Sequence, residues 1–347
     1  LTQESSHFDD TVHNVLKFHG IYEQDDRDVR QKLQLEGQEK RYIFMIRTKI
    51  PGGKLTGEQY LRMDELADQY ANGTLRITTR QDIQFHGVIK KNLKSTLRSL
   101  NESLVTTLGA CGDIERNIVT CPAPLPDRGR AQVQEYARLI SDDLLPKTKA
   151  YHEIWLNGEK VHTTQEEVEP LYGKTYLPRK FKTSLAFPGD NCVDIYAHDI
   201  GLVAVLDQGN LAGFNVLVGG GMGMTHRRPE THPLLAKPLG YIDKERILPV
   251  VEAILLVQRD FGNRENRMRA RMKYLIEERG IEWFYQEVKK RTGFDLESLR
   301  EMNWDQTVDH LGWHEMGNGS LFYGIFVENG RIQDAGNLRM RSGLRKI

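Results

Sequence analysis

Residues 41–50, RYIFMIRTKI, alternate along their length, with Tyr42, Phe44, Ile46 and Thr48 on one side and Arg41, Ile43, Met45, Arg47 and Lys49 on the other. A period of two predicts a strand and sets Arg47 and Lys49 on a shared face. PGG follows as a turn. Thr56 with Gln59 forms a capping box ahead of Tyr60, Met63, Ala67 and Tyr70, which recur at helical spacing until Gly73 stops them. In TLRITTRQDIQFHG, residues 74–87, Leu75, Ile77 and Thr79 oppose Arg76, Thr78 and Arg80, and Ile83 and Phe85 oppose Gln84 and His86. The stretch predicts one apolar face and one row of hydrogen-bond donors. Leu93, Leu97, Leu100 and Leu104 then mark a second helix. The β-α-β-β-α order is ferredoxin-like and predicts a half-domain over 41–107. Residues 1–40, including HGIYEQDDRDVR, sustain no period and read as an extended arm over the rest.

Residues 108–305 predict a mixed α/β domain. The proline-rich CPAPLPDRGR precedes a helix in AQVQEYARLISDDLLP, and Asn157-Gly158 marks a hairpin. CVDIYAHD, GLVAVLDQGN and LAGFNVLVGGG read as strands. ERILPVVEAILLVQRDFG, NRENRMRARMKYLIEERG and IEWFYQEVKKRTG read as helices, the last two stopped by Gly280 and Gly293. Residues 306–347 return to strands, with Asn329-Gly330 as another hairpin signal. The fold class is therefore α+β.

The 347 residues suffice for two or three domains. Lys and Arg number 48, as do Asp and Glu, so no global field favours nucleic acid or an anionic membrane. Cys111, Cys121 and Cys192 are odd in number and too far apart for a CxxC motif, which predicts reduced thiols in a cytoplasmic protein and no metal site. No run approaches about 18 apolar residues, and LTQESSHFDD lacks the order of a secretory signal. The chain begins at Leu1 rather than methionine, leaving room for an earlier segment.

GGGMG follows an apolar run but lacks the third glycine of a dinucleotide fingerprint, Met224 standing there instead. These glycines more simply let backbone pass close to a flat ligand or another strand. HLGWH has no glutamate partner for zinc. No serine sits in a nucleophile elbow. What remains is recurring positive charge: Arg47 and Lys49, Arg76 and Arg80, Arg116, the Lys180 and Lys182 of YLPRKFKTS, and Arg264, Arg267 and Arg271, the last two sharing a helix face if the helix is continuous. If YLPRKFKTS is extended, Lys180 and Lys182 point together, and two ammonium groups ~7 Å apart repel by roughly 2 kcal/mol unless an anion lies between them. Singly, each cation is a surface salt-bridge candidate; jointly they predict a basin for a strongly anionic ligand.

FHGIYEQDDRD, MIRTKIPGG, TLRITTRQDIQFHG, ERNIVTCP, YLPRKFKT, GFNVLVGGGMG and QRDFGNRENRMRARMKY, in this order, resemble the sirohaem-containing sulfite and nitrite reductases. The resemblance spans nearly the whole chain but only the amino-terminal three fifths of that family. It implies a sirohaem-binding α/β domain over 108–305, the opening of a second ferredoxin-like half over 306–347, and six-electron reduction of sulfite to sulfide, with nitrite as the alternative substrate. It implies that Arg76, Thr78, Arg80, Gln84 and His86 bind the eight carboxylates of sirohaem, that Asn215, Gly219, Gly220 and Gly221 pass near the ring, and that Arg264, Arg267 and Lys273 support it. Arg47, Arg116, Lys180 and Lys182 would hold the substrate. Relatives that reduce nitrite usually carry asparagine at the position of Lys182, which favours sulfite.

The family also carries a four-iron four-sulfur cluster on cysteines of its carboxy-terminal part, and Cys111, Cys121 and Cys192 do not match them. The resemblance therefore implies either a fragment awaiting its carboxy-terminal half or a short protein that binds sirohaem or an anion without catalysis. It implies an electron-donor protein, a flavoprotein subunit or a ferredoxin, and no nucleic-acid or membrane partner.

Overall fold

The computed structural model describes residues 5–147, 153–156, 159–163, 169–307 and 309–347. The first sheet is antiparallel, in the order Ile21–Asp25, Tyr42–Arg47, Ile83–Val88, Leu75–Ile77, Arg331–Ile332. Its apolar side, with Phe44, Ile46, Leu75 and Phe85 fully buried, packs on Met63, Leu66 and Leu100 of the helices Gly57–Tyr70 and Leu93–Glu102. The Thr56 hydroxyl accepts from Gln59 N and the Gln59 side chain accepts from Thr56 N, so the capping box starts the first helix where expected. The ferredoxin-like order is present.

Residues 5–40 are more than an arm. Ile21–Asp25 is the edge strand, paired along its whole length with 42–46, and Arg27–Leu35 is a helix capped by Asp26. The strand is too short to show a period, and its pairing with Tyr42–Arg47 supplies what local sequence does not.

The second sheet runs Lys237–Asp243, Asn210–Val218, Ile200–Asp207, Thr183–Ala186, Val119–Thr120. Its first three strands are antiparallel and its last three parallel. The largest core lies between this sheet and the helices Arg128–Asp143, Ile247–Phe261 and Ile281–Thr292. Strands Glu153–Leu156 and Glu159–Thr163 pair antiparallel; the Asn157-Gly158 signal between them lies outside the described residues.

Three local expectations need correction. CVDIYAHD is no strand: Asp194 takes a left-handed conformation and Ile195–Ala197 forms one 3-10 turn. NRENRMRARMKY is not one helix, because Asn263 and Asn266 side chains capture the amides of Glu265, Asn266 and Met268, and a helix begins only at Met272. Arg267 and Arg271 therefore share no helix face. Asn329-Gly330 makes a tight turn but joins no hairpin, since Arg331–Ile332 pairs with Leu75 and Arg76.

Candidate functional site

Four residues stand in register across four strands of the first sheet. Arg47 faces Gln84, Gln84 faces Arg76, and Arg76 faces Arg331. Directly opposed residues share a face, so this row forms the polar side opposite the core. With its amide oxygen turned toward Arg47, Gln84 accepts from Arg47 Nε at 3.0 Å and donates to His86 Nε2 at 3.0 Å. Burial lowers the His86 pKa, and Arg76, Arg47 and Arg331 lower it further, so the ring is neutral beside three guanidinium groups. Among the described residues neither Arg76 nor Arg331 has a hydrogen bond or ion pair.

Arg80 departs from the expected strand. The strand ends at Ile77; Thr78 Oγ1 accepts from the amides of Arg80 and Asp82, each at 3.2 Å, and Gln81 is left-handed. This turn drives Arg80 between the two sheets, where it donates to Asn117 O at 3.1 Å, Thr183 O at 3.0 Å and His198 Nδ1 at 3.1 Å. His198 donates through Nε2 to Val193 O, and burial holds its pKa down at about 3, so it is a neutral acceptor.

The loop 110–112 ties two further cations together. Arg47 donates to Cys111 Sγ at 3.1 Å, while Arg116 donates to Gly112 O at 2.8 Å and Ala110 O at 3.2 Å. The Arg116 amide bonds to Phe181 O and the Phe181 amide to Ile114 O, setting Arg116 beside the KFK segment. Phe181 is 1 % exposed, and Lys180 and Lys182 lie half-buried on the opposite side. Burial pushes both pKa values down to about 8, helped at Lys180 by Arg271, Arg116 and Arg179 and at Lys182 by Arg80 and Arg271. Neither lysine side chain has a hydrogen bond or salt bridge among the described residues.

Ile200 pairs with both Thr183 and Val218, so Lys182, Asp199 and Gly219 meet at one end of the second sheet. Asp199, fully buried, takes a two-point grip from Arg271 at 3.1 and 2.8 Å. Lys273 donates to Gly221 O at 3.0 Å, Gly223 O at 2.9 Å and His232 O, and so braces the glycine loop. At Gly220 a Cβ would lie 2.2 Å from Tyr196 O and 2.6 Å from His198 O. Only glycine fits there.

The structure thus gathers Arg47, Arg76, Arg80, Gln84, His86, Arg116, Lys180, Lys182, Gly219, Gly220, Gly221 and Lys273 around the junction of the two sheets. Four expected residues do not join. Asn215 donates to Arg300 O and accepts from Arg300 N, so its amide is oriented by the Arg300 backbone. Arg264 donates to Tyr176 O and Arg259 O, and Arg267 grips Asp113 at 2.8 and 3.0 Å. The last two brace the loop leading to Lys180 rather than facing the basin. The Thr78 hydroxyl is spent on the turn. Arg271, expected among the cations of the basin, lies here too, and Arg331, His198 and Cys111, which no pattern singled out for it, stand beside it.

Of six buried side-chain polar atoms without a partner among the described residues, four lie at this junction: Lys49 Nζ, Asp82 Oδ1, Asn117 Oδ1 and Ser184 Oγ. Burial raises Asp82 to about 7 against the pull of Arg47, Arg80, Lys49 and Arg116. Two surface hollows, of about 290 and 320 Å³, lie elsewhere, beside Arg30 and Leu33 and beside Phe261 and Arg264.

Comparison with known proteins accords with this geometry. Residues 36–103 match the family described as nitrite/sulfite reductase ferredoxin-like half domain, and residues 135–296 match the nitrite and sulphite reductase 4Fe-4S domain. The sulfite reductase [NADPH] hemoprotein beta-component of Staphylococcus haemolyticus is 48% identical over 339 residues, covering 98% of this chain and 59% of that protein. Its counterpart in Geobacillus kaustophilus is 49% identical over 341 residues, covering 97% and 60%. The chain spans about three fifths of the length of these curated relatives. The structure of Mycobacterium tuberculosis NirA protein superposes with a TM-score of 0.71 at 23% identity, over 90% of this chain and 53% of that one. That likeness is one of fold.

Proposed function

Since this chain belongs to the nitrite and sulphite reductase family, we propose that it is the sirohaem- and substrate-binding portion of a sulfite reductase haemoprotein, a cytoplasmic enzyme that reduces sulfite to sulfide with six electrons. The observation that carries the reading is a set of cations at one junction whose side chains have no ion pair among the described residues: Arg76 and Arg331 across two strands, and Lys180 and Lys182 either side of a buried Phe181. Like charges directly opposed cost stability unless an anion is placed between them.

The residues fit sirohaem. Arg76, Arg331, Arg80, Gln84 and His86 would take its carboxylates. When bound, the group supplies the iron at which a sulfur oxyanion is reduced. Arg47 and Arg116, fixed by the 110–112 loop, would hold the oxyanion oxygens. Each departing oxygen must be protonated, and Lys180 and Lys182, with pKa values near 8, are charged at neutral pH yet give up a proton more readily than an exposed lysine.

The residues do not fit a four-iron cluster. Such a cluster takes four cysteine thiolates, whereas this chain has three cysteines, and Cys111 sits on Arg47 apart from the other two. We derive no step through it and assign its ligands to the part of the relatives that this chain does not span. The donor we infer is an NADPH-linked flavoprotein subunit rather than a ferredoxin, because the relatives are named for NADPH.

Nitrite reduction and mere anion storage are weaker readings, because a second lysine at position 182 adds positive charge that a monoanion does not require. The test is cofactor loading. Produced in cells that overmake sirohaem, the chain should retain it and show its visible absorbance. Arg76→Ala with Arg331→Ala should lose most of that absorbance. Equal loading of both proteins sinks the reading.

A further inference from the structure

Cys121 and Cys192 are 71 positions apart in the chain and suggest no motif. In the fold they meet. Cys121 follows the strand Val119–Thr120, and Cys192 follows the short strand Gly189–Asp190. Their sulfurs and a carboxylate oxygen of Asp190 all lie within 4.8 Å of one another, with Cys121 and Asp190 buried and Cys192 half-buried. Nothing in the basin described above uses these three groups.

We propose that Cys121, Cys192 and Asp190 form a binding site for a thiophilic divalent cation of the zinc class, with water in the fourth position. Two sulfurs and one carboxylate oxygen are a donor set that such a cation takes. Tetrahedral coordination with sulfur at about 2.3 Å and oxygen at about 2.0 Å sets donors roughly 3.5 Å apart, within reach of small side-chain rotations from the present spacing. On binding, each thiol releases one proton to solvent and no electron moves.

The surroundings of Asp190 support the assignment. Its Oδ2 accepts from Arg130 at 2.8 Å and from His310 Nε2 at 2.8 Å, and Oδ1 accepts from the Cys192 amide at 3.1 Å. These bonds fix the carboxylate plane as outer partners of a metal ligand do. Arg130 is itself held by Asp127 and lies over the Phe187 ring, 4.2 Å from its centre. Asp190 lies in the strand that pairs with Trp304–Gln306, so an ion here would pin the beginning of the closing segment, through His310, to the second sheet.

The test measures bound metal on the 347-residue chain purified without chelator from zinc-supplemented cells. Elemental analysis should find one zinc per chain, lost in C121S and in C192S and kept in C111S. Cobalt added to stripped protein should give a thiolate charge-transfer band that the same two variants lack. H310A, which keeps every ligand, should weaken zinc about 10–100-fold in competition with a chromogenic chelator, a result that stands even if a cysteine variant fails to fold. Wild-type protein without stoichiometric zinc and without a cobalt band overturns the proposal. So does a mass lower by two hydrogens, which would report a Cys121–Cys192 disulfide, or unchanged zinc affinity in H310A.

Discussion

Arg76 and Arg331, 255 positions apart, stand directly opposite one another on neighbouring antiparallel strands, with no counter-ion to either among the described residues. Cross-strand pairs contribute about 0.2–1 kcal/mol each, and like charges carry the unfavourable sign. Replacing Arg331 with alanine should therefore leave the ligand-free chain equally stable or stabilise it by a few tenths of a kcal/mol. The same variant should lose sirohaem absorbance. Thermal melts of both forms check the pair of effects, and a large loss of stability in the ligand-free R331A chain would mark Arg331 as structural.

Anion binding should depend on pH through the two lysines. Lys180 and Lys182 have pKa values of about 8, against 10.5 when unfolded. Between those values the unfolded chain holds protons that the folded chain has released, so their contribution makes the ligand-free fold more stable as pH climbs from about 8 to 10.5. Below about 8 both lysines are charged, and that contribution is absent. Sulfate remains a dianion across this range, so its affinity should be greatest below pH 8 and fall as the lysines lose their protons. Calorimetric titration on either side of that pH checks the sign. An affinity that does not change with pH removes the lysines from the site.

The closing segment is anchored by a buried carboxylate. Asp64, its side chain 1% exposed, accepts from Arg341 Nε at 2.5 Å and Arg345 NH1 at 2.6 Å. Arg341 also donates to Asp68 and to Gly73 O, each at 2.6 Å. Removing one member of a buried pair strands its partner, so Asp64→Ala should cost about 3–5 kcal/mol in urea unfolding. A loss below 1 kcal/mol would show that helix Met340–Leu344 docks by other means.

How much of this could be read from the chain follows from where each signal resides. Alternation in RYIFMIRTKI and the Thr56–Gln59 pair are local, and they placed a strand, a helix and the Arg47 face correctly. The expected course of Arg80 failed because Thr78 Oγ1 captures two amides and ends the strand three residues early. Arg331 was invisible because a two-residue strand has no period, and its partner lies 255 positions away. The Cys121–Asp190–Cys192 cluster was missed for the same reason: spacing rules see contiguous motifs, whereas these residues follow or end separate strands. Asn215 was expected near the ring from the family resemblance alone, whereas its amide is held by the backbone of Arg300, a pairing no local pattern shows.

Gly220 offers a test of the glycine loop that is independent of charge. Its missing Cβ would fall 2.2 Å from Tyr196 O, 2.6 Å from His198 O and 2.8 Å from His198 N, all backbone atoms that cannot swing aside. Gly220→Ala should cost about 1–3 kcal/mol in folding, the range typical of overpacking. Gly223, with nothing within 4 Å of its Cβ position, serves as the control, and G223A should be near neutral. Equal stability of the two variants would mean that the loop yields freely and that contact with the backbone of Tyr196 and His198 does not require glycine.

If the proposed function holds, Lys182 should govern substrate choice. With Lys180 it places two ammonium groups at the edge of the basin, each lowered to about 8 and each within the field of Arg271. A dianion such as sulfite gains more from the second charge than a monoanion such as nitrite, because the Coulomb term scales with the product of the charges. In reductase assembled with the remainder of the polypeptide and an electron donor, Lys182→Asn should therefore cut sulfite kcat/KM by at least tenfold, about 1.4 kcal/mol of transition-state stabilisation. Nitrite turnover should change far less. Lys180 lies two residues away with Phe181 pointing into the core between them, so it keeps its place in the variant and preserves a proton source. Steady-state rates on the two substrates measure the split directly, and an equal loss on both would show that Lys182 serves the reaction in general and not the charge of its substrate.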